Sequence, residues 1–467
     1  MNRTEVFMST TFYPYVGAFI WISILLVFGA FLRAKVSFLQ NKLIPSSLIG
    51  GVVGFALMNT GLIGMPTPEG WMPISSKVFG VLVYHLFAFG FVGIGMMQQD
   101  KITAGTKSKW IRNGALWMAF MYCLIYAVQG IAGKSIFELA KAASGGDFFT
   151  GFGYLVASGF SQSPGAAQAF GTIWESTYGI QGSSSVGLAF GAMGFLCAIC
   201  FGIPLANRGI KNGWVADPNS KDLSPNLLRG MMGKGEAAEC ARTTTHPANI
   251  DSFAFHIAIM GALYAVGYVF ALGWSIYLPK GINGLGFGLL YTWGMIAGLL
   301  TRKVLDRIDT LHVIDNSTTR RITSSTIDYM ICAVFMGISM SDINAILIPF
   351  IITVIVVGFL TYFVILWFSR RMPEYGFERG LAILGCYTGT VASGILLLRI
   401  VDPDFKSPAA VELAIMNVFI LPMIQLVYLN LPFVPTKGSL MLPVFAAYLV
   451  IMPIALFTFK FVGKRLW

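Results

Sequence analysis

Two short stretches carry the residue types that could do chemistry in an otherwise apolar chain. The first is Ser158-Gly159-Phe160-Ser161-Gln162-Ser163-Pro164-Gly165. The second is Gly385-Cys386-Tyr387-Thr388-Gly389-Thr390, followed by Ser393-Gly394. Hydroxyl and amide oxygens are ligands for a hard cation. Proline and glycine interrupt a helix and free carbonyl and N–H groups that it would otherwise consume. A helix restarting after such a break turns the positive end of its dipole towards an anion, and the freed carbonyls can coordinate sodium. The chemistry indicated is non-covalent binding of a small anion together with a cation. The substrate candidates are Ser161, Gln162, Ser163, Pro164, Gly165, Thr388, Gly389 and Arg399. The ion candidates are Ser158, Thr390, Ser393, Asn417 and Gln425. The plainer alternative is a pair of helix kinks filled by small packing residues.

Other polar side chains in apolar surroundings have two readings each. His85 is a packing histidine or a functional one, and His256, near a helix start, reads as interfacial. Glu412 follows Pro408 in a first helical turn, where an acid suits the dipole; it could equally be an ion ligand. Arg399 either snorkels to the inner surface or meets a carboxylate. Asn417 and Gln425 are ion ligands or interhelical hydrogen bonders. Cys197-x-x-Cys200 lies on an apolar segment with no second pair, which reads as packed thiols.

The elements that must position these residues are membrane helices. Of 467 residues, 56% are hydrophobic and 11% charged, with a mean hydropathy of +0.72. Soluble domains carry about 25% charged residues, so a soluble multidomain enzyme is excluded. Apolar runs lie near 13–32, 43–65, 77–98, 110–133, 148–170 and 184–207, then 252–274, 282–300, 325–341, 343–368, 380–398, 410–431 and 440–462. The runs at 148–170 and 380–398 contain the two polar stretches and read as re-entrant hairpins.

The net charge of +11 is no nucleic-acid signal, because the basic residues crowd the short connections. With both hairpins returning to their own side and the N-terminus outside, 26 basic residues fall in inner loops. Arg3, Lys77, Lys134, Lys141, Lys280 and Lys437 remain outside. That bias favours eleven spans plus two hairpins, with a cytoplasmic C-terminus.

The chain also repeats itself. Phe91-Val92-Gly93-Ile94-Gly95-Met96 is echoed by Phe335-Met336-Gly337-Ile338-Ser339-Met340, and Phe160-Ser161-Gln162-Ser163 by Tyr387-Thr388-Gly389-Thr390. An odd number of spans per half makes the halves inverted repeats, and matching broken segments in such repeats point to a transport site. The expected organisation is an all-α polytopic membrane protein. It has a first repeat at 1–208, a cytoplasmic linker at 209–250, a second repeat at 251–432 and an additional helix within 433–467. There is no G-x-x-x-x-G-K-[ST], no H-E-x-x-H, no Cys/His metal cluster and no ladder of arginines. Nucleotide-driven pumping, zinc hydrolysis and voltage sensing therefore lack their residues.

Three local patterns resemble the bacterial sodium/glutamate symporter family. Ile44-Pro45 with Gly50-Gly51 is similar to its second-helix signature, and Gly165-Ala166-Ala167 to the end of its first hairpin motif. Gly202-Ile203-Pro204-Leu205-Ala206 is similar to the close of its fifth helix. The segment order resembles the family over almost the whole chain. Where the family carries two glycines, a histidine and a glycine, this chain has Phe160, Ser161, Gln162 and Ser163, so Gln162 stands at the histidine position. The second hairpin keeps Gly385 but has Thr388-Gly389-Thr390 in place of a glycine-rich pattern, and the run beyond 440 is an addition. The resemblance implies a homodimer in the inner membrane, surrounded by membrane lipids. It implies sodium-coupled import of glutamate or a related small carboxylate by an elevator-like movement, with no cofactor. The same fold could carry another organic anion or couple to protons. A channel or a membrane-embedded enzyme is the reading from a different class.

Overall fold

Long apolar runs fold as helices, and almost every element is one. The computed structural model describes residues 13–67, 70–97, 106–215, 225–233, 236, 241–278, 285–402, 406–436 and 440–467. Of the residues used to read topology, Arg3, Lys101, Lys221, Lys234, Lys280 and Lys437 lie outside these, as does Cys240. In the first part of the chain the main helices are α1 (Tyr13–Lys35), α2 (Ser46–Asn59), α3 (Ser76–Met96), α4 (Thr106–Ser144), α5 (Leu155–Ser161), α6 (Pro164–Tyr178) and α7 (Ser183–Lys211). In the second they are α8 (Ser252–Tyr277), α9 (Leu290–Arg307), α10 (Asn316–Met336), α11 (Leu347–Ser369), α12 (Gly376–Thr388), α13 (Val391–Val401), α14 (Ala409–Asn430) and α15 (Met441–Thr458).

Among the described residues, eight helices are long and apolar enough to cross a membrane. The chain is a multi-pass, all-α membrane protein. Three of the eleven runs read as spans are not among the eight. The run at 43–65 becomes α2, whose 14 residues reach roughly 21 Å, short of a hydrocarbon core of about 30 Å. Its remainder enters an unexpected hairpin, Gly64–Thr67 paired antiparallel with Gly70–Pro73. That hairpin is docked on α1 through Trp21 Nε1, which donates to the Gly64 carbonyl at 2.7 Å. Helices α9 and α10 carry too many charges, Arg302, Lys303, Asp306 and Arg307 in one and Arg320, Arg321 and Asp328 in the other. Helix α4 is much longer than its apolar run at 110–133. It has 39 residues, and an i,i+4 ion pair between Lys134 and Glu138 (2.9 Å) lies in its polar end.

The helices group into two compact units: Met1–Gln98 with Arg229–Ser339, and Gln99–Leu228 with Met340–Trp467. In the first unit α1 packs on α2, α8 on α9, α3 on α9, α2 on α10, and α3 on α10. Exchanging α1, α2 and α3 for α8, α9 and α10 leaves that set of pairs unchanged. Small residues set the close approaches. A Cβ at Gly50 would lie 2.6 Å from the Leu25 carbonyl oxygen, and one at Gly95 would lie 2.3 Å from that of Met295. The Gly50-Gly51 pattern therefore has a packing cause. His256, expected at the interface, is fully buried here. Its Nε2 accepts from the Asp315 N–H at 2.8 Å, which leaves Nδ1 to donate to the Ser252 carbonyl at 2.6 Å.

In the second unit α4 runs against α11, α14 and α15, while α7 packs on α5, α6, α12 and α13. Phe445 of α15 is fully buried against Gly130 of α4. Tyr448 on the same helix donates to the Met423 carbonyl of α14. The additional helix is thus integral to this unit.

Candidate functional site

Both polar stretches interrupt helices, and both lie in the second unit. Helix α5 ends at Ser161, and α6 begins at Pro164, whose fixed φ and missing N–H suit a first helical position. Ser163 is the N-cap, in extended backbone, and its Oγ accepts from the Ala166 N–H at 3.1 Å. The Ser158 carbonyl accepts from the N–H groups of Gln162 and Ser163. The second interruption runs over Gly389 and Thr390, between α12 and α13.

Helix α7 brings the two breaks together. A Cβ at Gly191 would stand 2.5 Å from Pro164, and one at Gly194 would stand 2.3 Å from the Thr388 carbonyl oxygen. Three residues apart, these glycines share a helix face. Each lets a break approach the α7 backbone to a distance that no side chain permits.

A third element ties the breaks directly. Gln129, on α4 and fully buried, donates through Nε2 to Thr361 Oγ1 (2.9 Å) and to the Tyr387 carbonyl (3.0 Å). Its Oε1 accepts from Ser161 Oγ at 2.7 Å, and Ser161 Oγ lies 3.3 Å from the same Tyr387 carbonyl. That carbonyl belongs to the last turn of α12, where intrahelical donors run out. One amide therefore joins α4, α5, α11 and α12. Beside it Tyr126 Oη and Ser158 Oγ share a hydrogen bond of 2.6 Å, and Tyr387 Oη donates to the Met118 carbonyl at 2.5 Å.

The expected residues divide into groups. Ser158, Ser161, Gln162, Ser163, Pro164 and Gly165 gather at the first break. Thr388, Gly389, Thr390 and Ser393 gather at the second. Within them the hydroxyls differ. Thr388 Oγ1 donates to the Leu384 carbonyl at 2.7 Å and is committed to its own helix. Thr390 Oγ1 is buried with no hydrogen-bond partner and makes no cap. A hydroxyl oxygen of that kind fits a hard cation such as sodium. Ser393 Oγ sits where a Cβ on Gly389 would come within 2.8 Å.

Three expected residues are not gathered. Arg399 is exposed, nine residues along α13 from Thr390, or roughly 13 Å. Gln425 turns its Nε2 to the Leu421 carbonyl of its own helix at 2.8 Å. Asn417 is half-buried on α14, next to Met416, whose Sδ is 3.6 Å from Tyr387 Oη.

Two features were not foreseen. Gln129 is an amide deep in the apolar run at 110–133, well away from Asn113 near its start, and that position was the available signal. The other is a buried ion pair. Arg379, counted among inner-loop cations, lies in the first turn of α12. It grips Glu412 of α14 through Nε to Oε2 (2.7 Å) and Nη2 to Oε1 (2.5 Å), and both side chains are almost wholly buried. Arg379 Nη1 also donates to the carbonyls of Pro373 and Glu374. The open question about Glu412 thus resolves into a salt bridge with both oxygens occupied. His85 shares a 2.6 Å hydrogen bond with Tyr264. Cys197 and Cys200 are both free thiols.

The family model described as sodium/glutamate symporter matches residues 15–376 of the chain. The match takes in the first break, Gln129 and α7, and ends on the first residue of α12. A search of the curated proteins finds no match.

Proposed function

The chain belongs to the sodium/glutamate symporter family, and from that premise we propose a specific site and mechanism. The family is one of transporters rather than enzymes, and membership implies sodium-coupled glutamate symport by a multi-pass membrane protein. The proposed substrate site lies at the paired breaks. Ser161, Gln162, Ser163, Pro164, Gly165, Thr388 and Gly389 recognise glutamate or a related small carboxylate, with Arg399 in a peripheral role. The N-terminal ends of α6 and α13 face its carboxylates. Sodium is held by neutral oxygens from Ser158, Thr390 and Ser393, with Asn417 and Gln425 further out. The observation that carries this reading is the convergence of both breaks on one face of α7, at Gly191 and Gly194.

The two broken segments are proposed to be re-entrant hairpins in inverted repeats, 1–208 and 251–432, joined by the 209–250 linker. The exchange pattern of helix pairs in the first unit supports that reading. So does the division of the chain, since each unit takes the same part of both repeats. The unit holding the breaks would carry the substrate in an elevator-like movement, and the other would serve as scaffold in a homodimer. The proposed setting is the inner membrane, with the N-terminus outside and the C-terminus cytoplasmic.

Proteoliposomes test the core of the proposal. Glutamate should accumulate against its gradient when sodium is imposed outside, and Gly194→Val should abolish that uptake, while Gly261→Val should not. A Cβ at Gly261 meets nothing within 4 Å. Uptake that ignores sodium but follows a proton gradient would replace the coupling ion. Downhill flux alone would replace the transporter by a channel.

A further inference from the structure

A second binding site is built at the other end of the same unit, from residues that the transport site does not use. Four arginines converge where α7 and α11 end. Arg208 lies in the last turn of α7, Arg370 and Arg371 directly follow α11, and Arg465 lies beyond α15. The chain after α15 is fastened there by two backbone hydrogen bonds. Gly463 N–H donates to the Arg371 carbonyl (2.7 Å) and Leu466 N–H to that of Arg370 (2.8 Å). The fastening lays Trp467 on Trp214, with ring centroids 4.9 Å apart, and on Phe377, with centroids 5.0 Å apart. The Arg370 guanidinium carbon is 5.1 Å from the Trp467 ring and 5.9 Å from that of Trp214, and Arg208 approaches the same Trp214 ring at 5.9 Å.

No acidic side chain among the described residues balances the charge here; Arg465 Nε donates to the Trp467 backbone oxygen at 3.0 Å and Arg371 Nη1 to the Trp367 carbonyl at 2.9 Å. Among the described residues none of the four arginines forms an ion pair. Burial first, and then the charges of Arg465, Arg208 and Arg371, hold the Arg370 guanidinium below its ordinary value; only Tyr362 acts the other way. Hydrogen bonding is also incomplete. The Nε of Arg370 and the indole Nε1 of Trp467 are buried donors with no acceptor. Ordinary inward-facing cations fix orientation from exposed loops and need no acceptor but water. Two buried N–H donors without acceptors, in a ring of like charges, are a different arrangement, costly unless an anion supplies the missing oxygens.

We infer that Arg208, Arg370, Arg371 and Arg465, with the indole N–H of Trp467, form a binding site for a phosphate group. Phosphate offers several strong acceptor oxygens, which guanidinium forks match in geometry as well as charge. The site stands at the ends of two membrane-crossing helices, flanked by two indole rings. An anionic phospholipid headgroup can reach such a position directly, and basic pockets between helices bind such headgroups. A free phosphate ion presents the same oxygens. Either ligand would pin the segment after α15 to the start of α12, and so brace the second broken helix from its far end.

The experiment uses the full-length protein in detergent, titrated in parallel with phosphatidylglycerol, with phosphatidylcholine and with inorganic phosphate. The readouts are the thermal unfolding midpoint and bound adducts in native mass spectra. Phosphatidylglycerol should raise the midpoint and phosphatidylcholine should not. In Arg208→Gln/Arg370→Gln the half-effect concentration should rise about tenfold or more. In the control Arg320→Gln/Arg321→Gln, which removes two exposed cations from the other unit, it should not move. A midpoint raised by inorganic phosphate but not by phosphatidylglycerol would assign the site to a free anion. Trp467→Phe keeps an aromatic ring on Trp214 and Phe377 while removing the indole N–H together with part of the ring system, so it decides the matter if the double arginine variant fails to fold. It too should raise the half-effect concentration. A response to neither anion overturns the site, as does a phosphatidylglycerol response that is unchanged in both the arginine and the Trp467 variants.

Discussion

Replacing Gln129 by leucine tests whether the tie between the two breaks sets their function. The substitution keeps most of the side-chain volume and deletes three buried hydrogen bonds, to Thr361 Oγ1, to the Tyr387 carbonyl and from Ser161 Oγ. Hydrogen bonds between membrane helices average about 0.6 kcal/mol each, so the loss is about 2 kcal/mol. Part is recoverable, because Ser161 already lies 3.3 Å from the Tyr387 carbonyl and can turn fully to it. An expected net effect of about 1.4 kcal/mol corresponds to a tenfold rise in the sodium concentration for half-maximal glutamate uptake. Gln129→Glu separates positioning from packing. An ionised carboxylate can still accept from Ser161 but has no proton for Tyr387, whereas the protonated acid can donate one. Burial raises the pKa of such an acid. Its donor is therefore present below the raised value and lost as pH rises through it. Relative to the parent, uptake by Gln129→Glu should be poor near pH 8 and recover near pH 5.5, while Gln129→Leu should show no such recovery. The assay is initial-rate uptake in proteoliposomes at both pH values. A leucine variant with parental sodium dependence, together with a glutamate variant whose pH profile matches the parent, would refute the reasoning.

Three further outcomes are expected. Thr390→Ala should raise the sodium half-saturation several-fold and Thr390→Ser should not, because only the hydroxyl oxygen is at issue; sodium titrations of uptake read this directly. Gln162→Ala should weaken the preferred substrate by about tenfold or more, on the cost of about 1–3 kcal/mol for an unpaired buried polar group, and Gln162→His should introduce pH dependence near pH 6.5; a competition panel of amino acids and dicarboxylates measures both. Breaking the Arg379–Glu412 pair with Glu412→Gln should destabilise the protein by about 3–5 kcal/mol, while the double change Arg379→Met/Glu412→Leu should recover most of that; thermal unfolding of purified variants tests it.

The broken helices were legible because Pro164, Gly389 and their serine and threonine neighbours violate an otherwise apolar pattern over several consecutive residues. Gln129 was not, since one amide in a long apolar run is indistinguishable by composition from ordinary interhelical bonding; its role depends on which carbonyls α12 leaves open. Arg399 and Gln425 show the converse limit, a distance from the breaks that residue type does not reveal. Their types suited a binding site, but helical rise carries Arg399 away from the break, and Gln425 spends its donor on its own backbone. The extent of α4 was hidden because Lys134, Glu138 and Lys141 read as a loop, although they continue the helix. The hairpin at 64–73 was hidden because strand pairing of so short a Pro/Gly-rich piece leaves no periodic signal.

The Tyr387 carbonyl also bears on how such a site can be opened. It accepts from Gln129 and lies within reach of Ser161, so swinging the second tip outward alone would strip this buried acceptor of its donors, and swinging the first alone would take the Ser161 donor from Gln129 Oε1. The glycine seats on α7 add a steric brake, because each tip rests directly on the same helix. A mechanism with two independently hinged gates, one per side of the membrane, would break this lock twice in every cycle. Keeping the lock closed requires the tips to travel as one solid knuckle, so that access changes by what surrounds the knuckle. A disulfide or a short cross-linker joining the two tips should then leave turnover intact, where a two-gate carrier would stall.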